Sequence, residues 1–343
     1  MSASAQPTRR VLDPASSGPL HDIDGQYQIL GPLGSSLTGK SFLARHRELG
    51  RLVVVKFMHE TADARTRGRF EREARALTQL SHDHVASLLG YGRTADGRRY
   101  MVVEHVEGRD LRQTLNRWGR LPERRALRIL EQLARALTAV HAVGLVHRNL
   151  KPETVLLGQS RDGKEIVKLT NFGLVRGEPS DPGAFADGNS NSRTGPMHGT
   201  PRYWSPEQVL GEPTDARSDI YAFGVLAYEL LTGHTPFQST TTMGFAWQHV
   251  SVSPPRPLDR EGRPRLRPEL ERILARCLAK QPDQRFASMT DVRAALSRVR
   301  KVNVKALAPS PGQRLVARLR QPETWLIIAS AFLAGLLGSL IAR

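Results

Sequence analysis

The chain has 343 residues, enough for one large two-lobed domain or for two ordinary domains with tails. Its net charge of +17 would suit a nucleic-acid partner, but the sequence has no recognised nucleic-acid-binding module and no Lys/Arg block interleaved with aromatic residues, so we expect no nucleic-acid binding. One cysteine, Cys277, excludes an internal disulfide bond and is predicted to be a core thiol.

The first part of the chain is predicted to be rich in β-strands. Residues 1–26 are polar, lack periodicity and have no signal peptide, which predicts a disordered tail. Helical spacing of apolar residues predicts an amphipathic helix over 65–80. Apolar runs between turn signals predict strands at 27–33, 40–45, 52–58 and 100–105. A β-rich N-lobe is therefore expected over 27–105.

The chain becomes helical after Gly108, and the expected C-lobe covers 106–298. Residues 176–197, rich in Gly, Ser, Pro and Asp, predict a long loop, which is unusual inside a compact body unless it is functional or disordered. Continuous apolar stripes and end signals predict helices at 122–143, 220–231, 268–279 and 289–300.

An 18-residue stretch without charge, 325–342, follows a basic linker over 299–324. As a helix it would be about 27 Å long, close to the thickness of a hydrocarbon core, so we expect a transmembrane helix. A buried core helix is the alternative, but Pro309 and Pro311 separate the stretch from the preceding fold. The basic linker predicts that the N-terminal body lies in the cytoplasm. The expected arrangement is a single-pass tail anchor in the membrane.

Small residues recur within this predicted span. Ala331, Gly335 and Ser339 fall on one helical face at four-residue spacing, which allows two helices to approach closely. Two interpretations stay open: a homodimer formed through the anchor, and an ordinary span rich in Ala and Gly.

Several motifs occur in order between residues 27 and 298. They are Gly34, Ser36 and Gly39; Val53 to Lys56, with Glu73; His147 to Thr154; Asn171 to Gly173; Ser205 to Glu207; Asp219; and Arg285. Each motif alone is weak, but in this order and spacing the chain resembles the bacterial (Hanks-type) serine/threonine protein kinases. The resemblance implies an α+β, two-lobed protein kinase-like fold, to which the transmembrane helix is added.

The resemblance also implies a nucleotide-binding cleft. The implied positions are Gly34, Ser36, Gly39, Lys56, Glu73, Glu104 and Val106. Lys56 would contact the α and β phosphates and pair with Glu73, while backbone groups near Glu104 and Val106 would pair with adenine. Ser36 replaces the middle glycine of the phosphate loop, so ATP is expected to bind weakly or without Mg²⁺.

The polar catalytic positions depart from the family pattern. Asn149 stands where the family has its aspartate base, and a carboxamide has negligible basicity. Asn171 and Thr154 replace the two metal ligands, and neutral oxygens supply no charge for magnesium. Lys151 keeps the position of the phosphate-steering lysine. Magnesium is therefore expected only if the chain is active.

The positions that support the family's fold are kept. They are His147, Arg148, Phe172, Glu207, Asp219 and Arg285, with Glu207 matching the acid that pairs with Arg285 and Asp219 matching the brace of the catalytic loop. Arg148 with Ser190, Ser192 and Thr194 leaves a phosphorylation switch as an alternative to a solvated loop.

These observations predict a membrane-anchored pseudokinase that acts as a scaffold or nucleotide-responsive module by binding signalling proteins or active kinases. One alternative is a serine/threonine kinase of low activity, in which water or substrate supplies the missing groups. A second alternative is a basic adaptor at the membrane surface whose kinase fold is incidental.

Overall fold

The computed structural model describes residues 22–23, 25–36, 39–59, 64–160, 162–170, 200–258, 262 and 265–307. The chain divides into two units after Arg293, and the unit ending there contains both lobes described below. Its first lobe is an antiparallel sheet in the order β1-β2-β3-β4-β6-β5. The strands are β1 (Asp22–Ile23), β2 (Tyr27–Ser36), β3 (Gly39–His46), β4 (Leu52–Met58), β5 (Leu88–Arg93) and β6 (Arg99–Glu104).

Alternation of side chains explains the central strand β4. Val53, Val55 and Phe57 are buried in one apolar cluster, and the residues between them are half-buried. Helix α1 (Ala64–Thr78) contributes Phe70 and Ala74 to a second cluster. The predicted strands and helix of this lobe are present. Strand β5 was not predicted, because Gly90 and Gly92 interrupt its apolar pattern.

Two residues of the tail expected over 1–26 form a strand instead. Ile23 is completely buried, and Asp22–Ile23 pair with Gln28 and Tyr27 of β2. A short edge strand therefore forms, because burial of Ile23 in the sheet's apolar cluster stabilises it.

The second lobe is mainly helical and contains a small sheet in the order β7-β8-β9. Its strands are β7 (Arg109–Asp110), β8 (Val155–Gln159) and β9 (Glu165–Leu169). Its helices are α2 (Leu111–Trp118), α3 (Glu123–Ala142), α4 (Pro206–Leu210), α5 (Ala216–Thr232), α6 (Thr242–Ser251) and α7 (Pro268–Cys277). Helix α8 (Met289–Leu307) crosses the boundary between the two units. The predicted α+β architecture of two lobes is confirmed, although α6 had no specific prediction.

Helix α5 lies at the centre of the second lobe, since every residue from Ser218 to Thr232 is buried. Its Gly224 allows α7 to approach closely: a Cβ atom at this position would lie 2.7 Å from Cβ of Cys277. Cys277 is buried, which confirms the predicted core thiol, and burial raises its pKa to about 12.

The first residues of the linker expected over 299–324 belong to helix α8. It continues to Leu307, because no Gly or Pro interrupts the chain before Pro309. Among the residues that the structure describes, no helix has both the length and the apolar character needed to cross a membrane. The predicted span 325–342 lies outside these residues.

Candidate active site

A buried carboxylate on α5 fixes the loop between α3 and β8. Asp219 Oδ2 accepts the backbone N–H of His147 at 2.7 Å, and Oδ1 accepts that of Arg148 at 2.8 Å. His141 Nε2 donates to Oδ2 at 2.8 Å. Burial alone would raise the pKa of Asp219, but the hydrogen bonds from the His141 ring and the His147 backbone lower it below its usual value. The loop backbone is therefore held by a charged group.

The brace supports an uncommon backbone conformation. Arg148 has a φ of 59°, in the left-handed region that non-glycine residues rarely adopt. Gln208 Nε2 also donates to the Arg148 carbonyl oxygen at 3.0 Å. His147 is completely buried and its Nε2 donates to Thr170 O at 3.0 Å, while burial lowers its pKa. His147 is thus a neutral structural residue, as its place in the motif implies.

Asn149 occupies the next position of the loop. Its backbone N–H donates to the carbonyl oxygen of His147 at 2.8 Å, and the residue is half-buried. The loop therefore presents a neutral carboxamide where the resemblance placed a base.

The hydroxyl group of Thr154 is committed to the loop itself. Thr154 is completely buried, donates to Lys151 O at 2.8 Å and accepts the Lys151 backbone N–H at 3.2 Å. The ammonium group of Lys151 donates to Thr200 Oγ1 at 3.0 Å. The sequence predicts a poor metal ligand at Thr154, and the structure commits its hydroxyl to contacts within the loop.

Glu153, the carboxylate closest in sequence to Thr154, does not replace the missing metal ligand, because it is paired elsewhere. Its Oε1 accepts from Arg112 Nε at 3.1 Å, and Arg112 NH1 donates to Glu229 Oε1 at 2.8 Å. Tyr203 joins the same cluster, since its hydroxyl donates to Glu229 Oε2 at 2.5 Å. Sequence analysis missed Arg112, Tyr203 and Glu229, which are far apart in the chain and belong to no quoted motif.

A buried ion pair connects α4 to the segment before α8. Arg285 donates to both oxygens of Glu207 at 2.7 and 2.8 Å, and Ser218 Oγ donates to Oε1 at 2.7 Å. Burial opposes ionisation of Glu207, but Arg285 lowers its pKa. The guanidinium group also donates to the carbonyl oxygens of Arg217, Ala279 and Lys280. The pairing suggested by the motif is present as a contact.

The implied phosphate-binding positions lie on strands β2, β3 and β4. Gly34 pairs with Ser41, and Ser36 pairs with Gly39 at the tip of the β2–β3 hairpin. Gly39 has a packing reason to be glycine, because a Cβ atom there would lie 1.7 Å from the carbonyl oxygen of Phe57. Lys56 is half-buried in β4, opposite Met101 of β6.

Two side chains of this cleft lie outside the described part. Glu73 is in α1, but the position of its side chain is not described, so the Lys56–Glu73 pair stays a prediction. The side chain of Ser36 is likewise outside the description.

The connection between the lobes has its own ion pair. Glu104 Oε2 accepts from Lys168 Nζ at 2.9 Å and from the backbone N–H of Ser87 at 3.0 Å. Val106 follows as a half-buried residue. The Glu104 side chain is therefore engaged with β9, and only the backbone of this segment is available for the adenine contacts that the resemblance implies.

The remaining predicted positions fall in 171–199, outside the described residues. They are Asn171, Phe172, Ser190, Ser192 and Thr194. Their roles stay predictions.

Comparisons with known proteins agree with this geometry. Residues 27–296 match the family described as "Protein kinase domain". Serine/threonine-protein kinase pkn3 of Myxococcus xanthus is 39% identical over 278 residues, covering 80% of this chain and 50% of pkn3. Serine/threonine-protein kinase PknA of Mycobacterium tuberculosis H37Rv is 33% identical over 318 residues, covering 90% of this chain and 70% of PknA.

Among solved structures, the kinase domain of Mycobacterium tuberculosis PknI is similar with a TM-score of 0.58 and 26% identity. The match covers 81% of this chain and 97% of that domain. The chain spans about half the length of pkn3 and 35% of pkn2, a second Myxococcus xanthus relative. On the match over 27–296 and the two-lobed fold, this chain belongs to the protein kinase domain family, among the bacterial Hanks-type serine/threonine kinases.

Proposed function

We propose that this chain is a membrane-anchored pseudokinase that acts by binding other proteins. The observation that carries the proposal is the state of the catalytic loop. Its backbone is fixed by Asp219, yet the polar positions that serve proton and metal chemistry hold Asn149 and a buried Thr154. A kept frame with altered chemical groups favours a binding role over phosphoryl transfer.

Loss of the base slows proton transfer. Asn149 can hydrogen-bond to a substrate hydroxyl but cannot accept its proton, and general-base help is typically worth about 10² to 10⁴ in rate. The nearby carboxylate of Glu153 offers no replacement because it is paired with Arg112. The loop therefore orients a hydroxyl at best.

The residues do not fit a magnesium site. Magnesium requires hard, preferably anionic oxygen ligands in octahedral geometry. The hydroxyl of Thr154 is buried against the Lys151 backbone, and Asn171 is a neutral amide by its sequence. We therefore propose that ATP, where it binds, is held without the metal through Lys56 and the backbone of the cleft, and weakly.

Location and partners follow from the sequence outside the described residues. The uncharged stretch 325–342 and the basic residues before it support a membrane-spanning helix with the kinase domain in the cytoplasm. At the membrane the domain would meet signalling proteins or active kinases, and the small residues of the span would allow a homodimer.

Radioactive labelling tests the proposal. The purified full-length chain, in non-ionic detergent, is incubated with γ-labelled ATP, magnesium and a generic protein substrate, beside its Lys56→Met variant. We expect that neither the chain nor the substrate takes up more magnesium-dependent label than in the parallel reaction with Lys56→Met. Label that appears with magnesium and is abolished by Lys56→Met overturns the pseudokinase proposal.

A second candidate is a serine/threonine kinase of low activity. It is favoured by the Lys151–Thr200 contact in the loop and by relatives that are named serine/threonine-protein kinases. Thermal shift with ATP separates the two candidates. A shift of equal size with and without magnesium supports the pseudokinase, whereas a shift that requires magnesium supports the slow kinase.

A further inference from the structure

A polar groove lies away from the catalytic loop, between α2, the β8–β9 hairpin and the start of α3. Its volume is about 530 Å³. The residues that shape it include Gly108, Arg109, Arg117, Trp118, Gln159 and Glu165. None of these positions belongs to a motif that the sequence resemblance explains.

The groove is built on a rigid frame. Arg109, in the two-residue strand β7, pairs with Leu157 of β8. A Cβ atom at Gly108 would lie 2.1 Å from the Leu157 carbonyl oxygen, so the two backbones are in close contact there. Asp110 then caps α2 by accepting the backbone N–H of Gln113 at 2.7 Å. Because the backbone on this side is fixed, Arg109 enters the groove from a defined position.

The groove carries unbalanced positive charge. Three arginines line it, Arg109, Arg117 and Arg125, against two acidic residues, Glu107 and Glu165. Arg125 is balanced by Glu165, with an N–O distance of 2.6 Å. Arg109 and Arg117 are exposed and have no carboxylate within ion-pair distance among the described residues, while Glu107 at the rim is the remaining acidic group of the lining.

An exposed aromatic side chain adjoins this charge. Trp118 is 62% exposed at the end of α2, and the guanidinium carbon of Arg117 lies 5.6 Å from the centre of its ring. Exposed Trp and Arg side chains side by side are typical of protein-binding surfaces, because each can supply much of the binding energy at an interface. The pair offers an apolar and a cationic contact at one place.

We propose that this groove docks an acidic segment of a partner protein. Carboxylates of the segment would pair with Arg109 and Arg117, and an apolar side chain beside them would pack on Trp118. The concave shape favours a peptide over a flat membrane surface, and the single aromatic residue offers no ladder for stacking nucleic-acid bases. The proposal does not depend on whether the cleft transfers phosphate.

Fluorescence anisotropy tests the docking. The full-length chain in non-ionic detergent is titrated into a fluorescein-labelled peptide of glutamates around one phenylalanine, at low salt. Arg109→Glu with Arg117→Glu should weaken binding by about tenfold or more, since two attractive charges become repulsive. Arg124→Glu with Arg128→Glu is the matched control: it changes the net charge equally, on exposed positions of α3 outside the groove.

A third variant changes no charge, so it tests the docking even if the two Arg→Glu substitutions disturb folding. Trp118→Ala should weaken the phenylalanine peptide by about threefold and leave an all-glutamate peptide unaffected. The proposal is overturned by equal losses in the groove and control variants, which would show diffuse charge. It is also overturned if the groove variants lose binding to phosphatidylserine vesicles while peptide affinity stays unchanged.

Discussion

The hydroxyl group of Thr154 meets the backbone of Lys151 twice, as donor to its carbonyl oxygen and as acceptor from its N–H. These contacts close the short turn Pro152–Thr154, which leads into β8. Thr154 thus stabilises the loop that the family uses for chemistry.

Replacement of Thr154 by valine should destabilise the chain despite the equal size. The backbone N–H of Lys151 would lose its partner, while its carbonyl oxygen keeps the backbone N–H of Thr154. An unpaired donor of this kind costs about 1 to 3 kcal/mol. Urea unfolding measures this, and Thr154→Ser serves as the control because it keeps the hydroxyl group. Equal stability of the valine variant and the unchanged chain would contradict the bracing role.

Asp219→Asn should cost about 3 kcal/mol of unfolding free energy. Asparagine offers one acceptor and one donor where the loop presents the N–H groups of His147 and Arg148, so one buried donor is left unpaired. The control is Asp215→Asn, the exposed cap of the same helix, which should change stability by less than about 0.5 kcal/mol. Similar melting temperatures for the two variants would show that the brace is unimportant.

Arg285→Lys should be severe although the charge is kept. Arg285 uses its fork to reach both oxygens of Glu207 and three backbone carbonyls, and an ammonium group cannot span these partners. We expect a loss of about 3 kcal/mol, as for a broken buried ion pair. Arg272→Ala removes an exposed pair with Glu269 and should cost below about 0.5 kcal/mol. Calorimetry of the three proteins checks the order.

Stability should fall between pH 6.5 and pH 4. His249 is completely buried, and burial, followed by the charge of Lys280, lowers its pKa from 6.5 to about 4. A histidine with a lowered folded pKa gives stability that is present above its unfolded pKa and lost as the pH falls. At pH 5 the loss is about 2 kcal/mol. The buried acids Asp219 and Glu207, whose pKa values are lowered, act only near pH 4 and below.

Thermal melts of His249→Gln at pH 7 and pH 5 check this origin. The variant should show a smaller difference between the two pH values, although His147, whose pKa burial also lowers, still contributes. His234→Gln replaces an exposed histidine and should keep the full difference. A pH dependence unchanged by His249→Gln would assign the effect to other groups.

Restoring both aspartates should restore some phosphoryl transfer. Asn149→Asp with Asn171→Asp returns the base and one metal ligand, so the labelling rate should rise by about 10² or more. Magnesium titration with γ-labelled ATP measures the gain, and adding Lys56→Met to the pair should abolish it. A pair variant that stays inert would show that the cleft has lost more than these two carboxylates.

Periodicity and motif spacing predict much of this fold. The alternation of Val53, Val55 and Phe57 predicts β4, and motif order alone places Asp219 beside the catalytic loop. These signals work because they are local or belong to a shared pattern. Strand β5 escapes prediction because its glycines remove the apolar alternation on which the prediction depends.

The cluster of Arg112, Tyr203 and Glu229 could not be predicted. Arg112 lies 91 and 117 positions from its two partners, and a polar residue on a helix gives no sign of which distant group it meets. The commitment of the Thr154 hydroxyl is also invisible in sequence, since it depends on the turn geometry of four residues. Both features need the folded backbone.

Gly224 leaves α5 and α7 so close that the thiol of Cys277 is enclosed between them. Because Cys277 is the one cysteine of the sequence, any reaction of the protein with a thiol reagent reports modification of this residue. With a pKa of about 12 the enclosed thiol is inert, so modification should require separation of these helices. The unmodified protein therefore carries its own reporter for opening of the helical lobe, and ligands of the cleft or the groove can be ranked by how far they slow its modification.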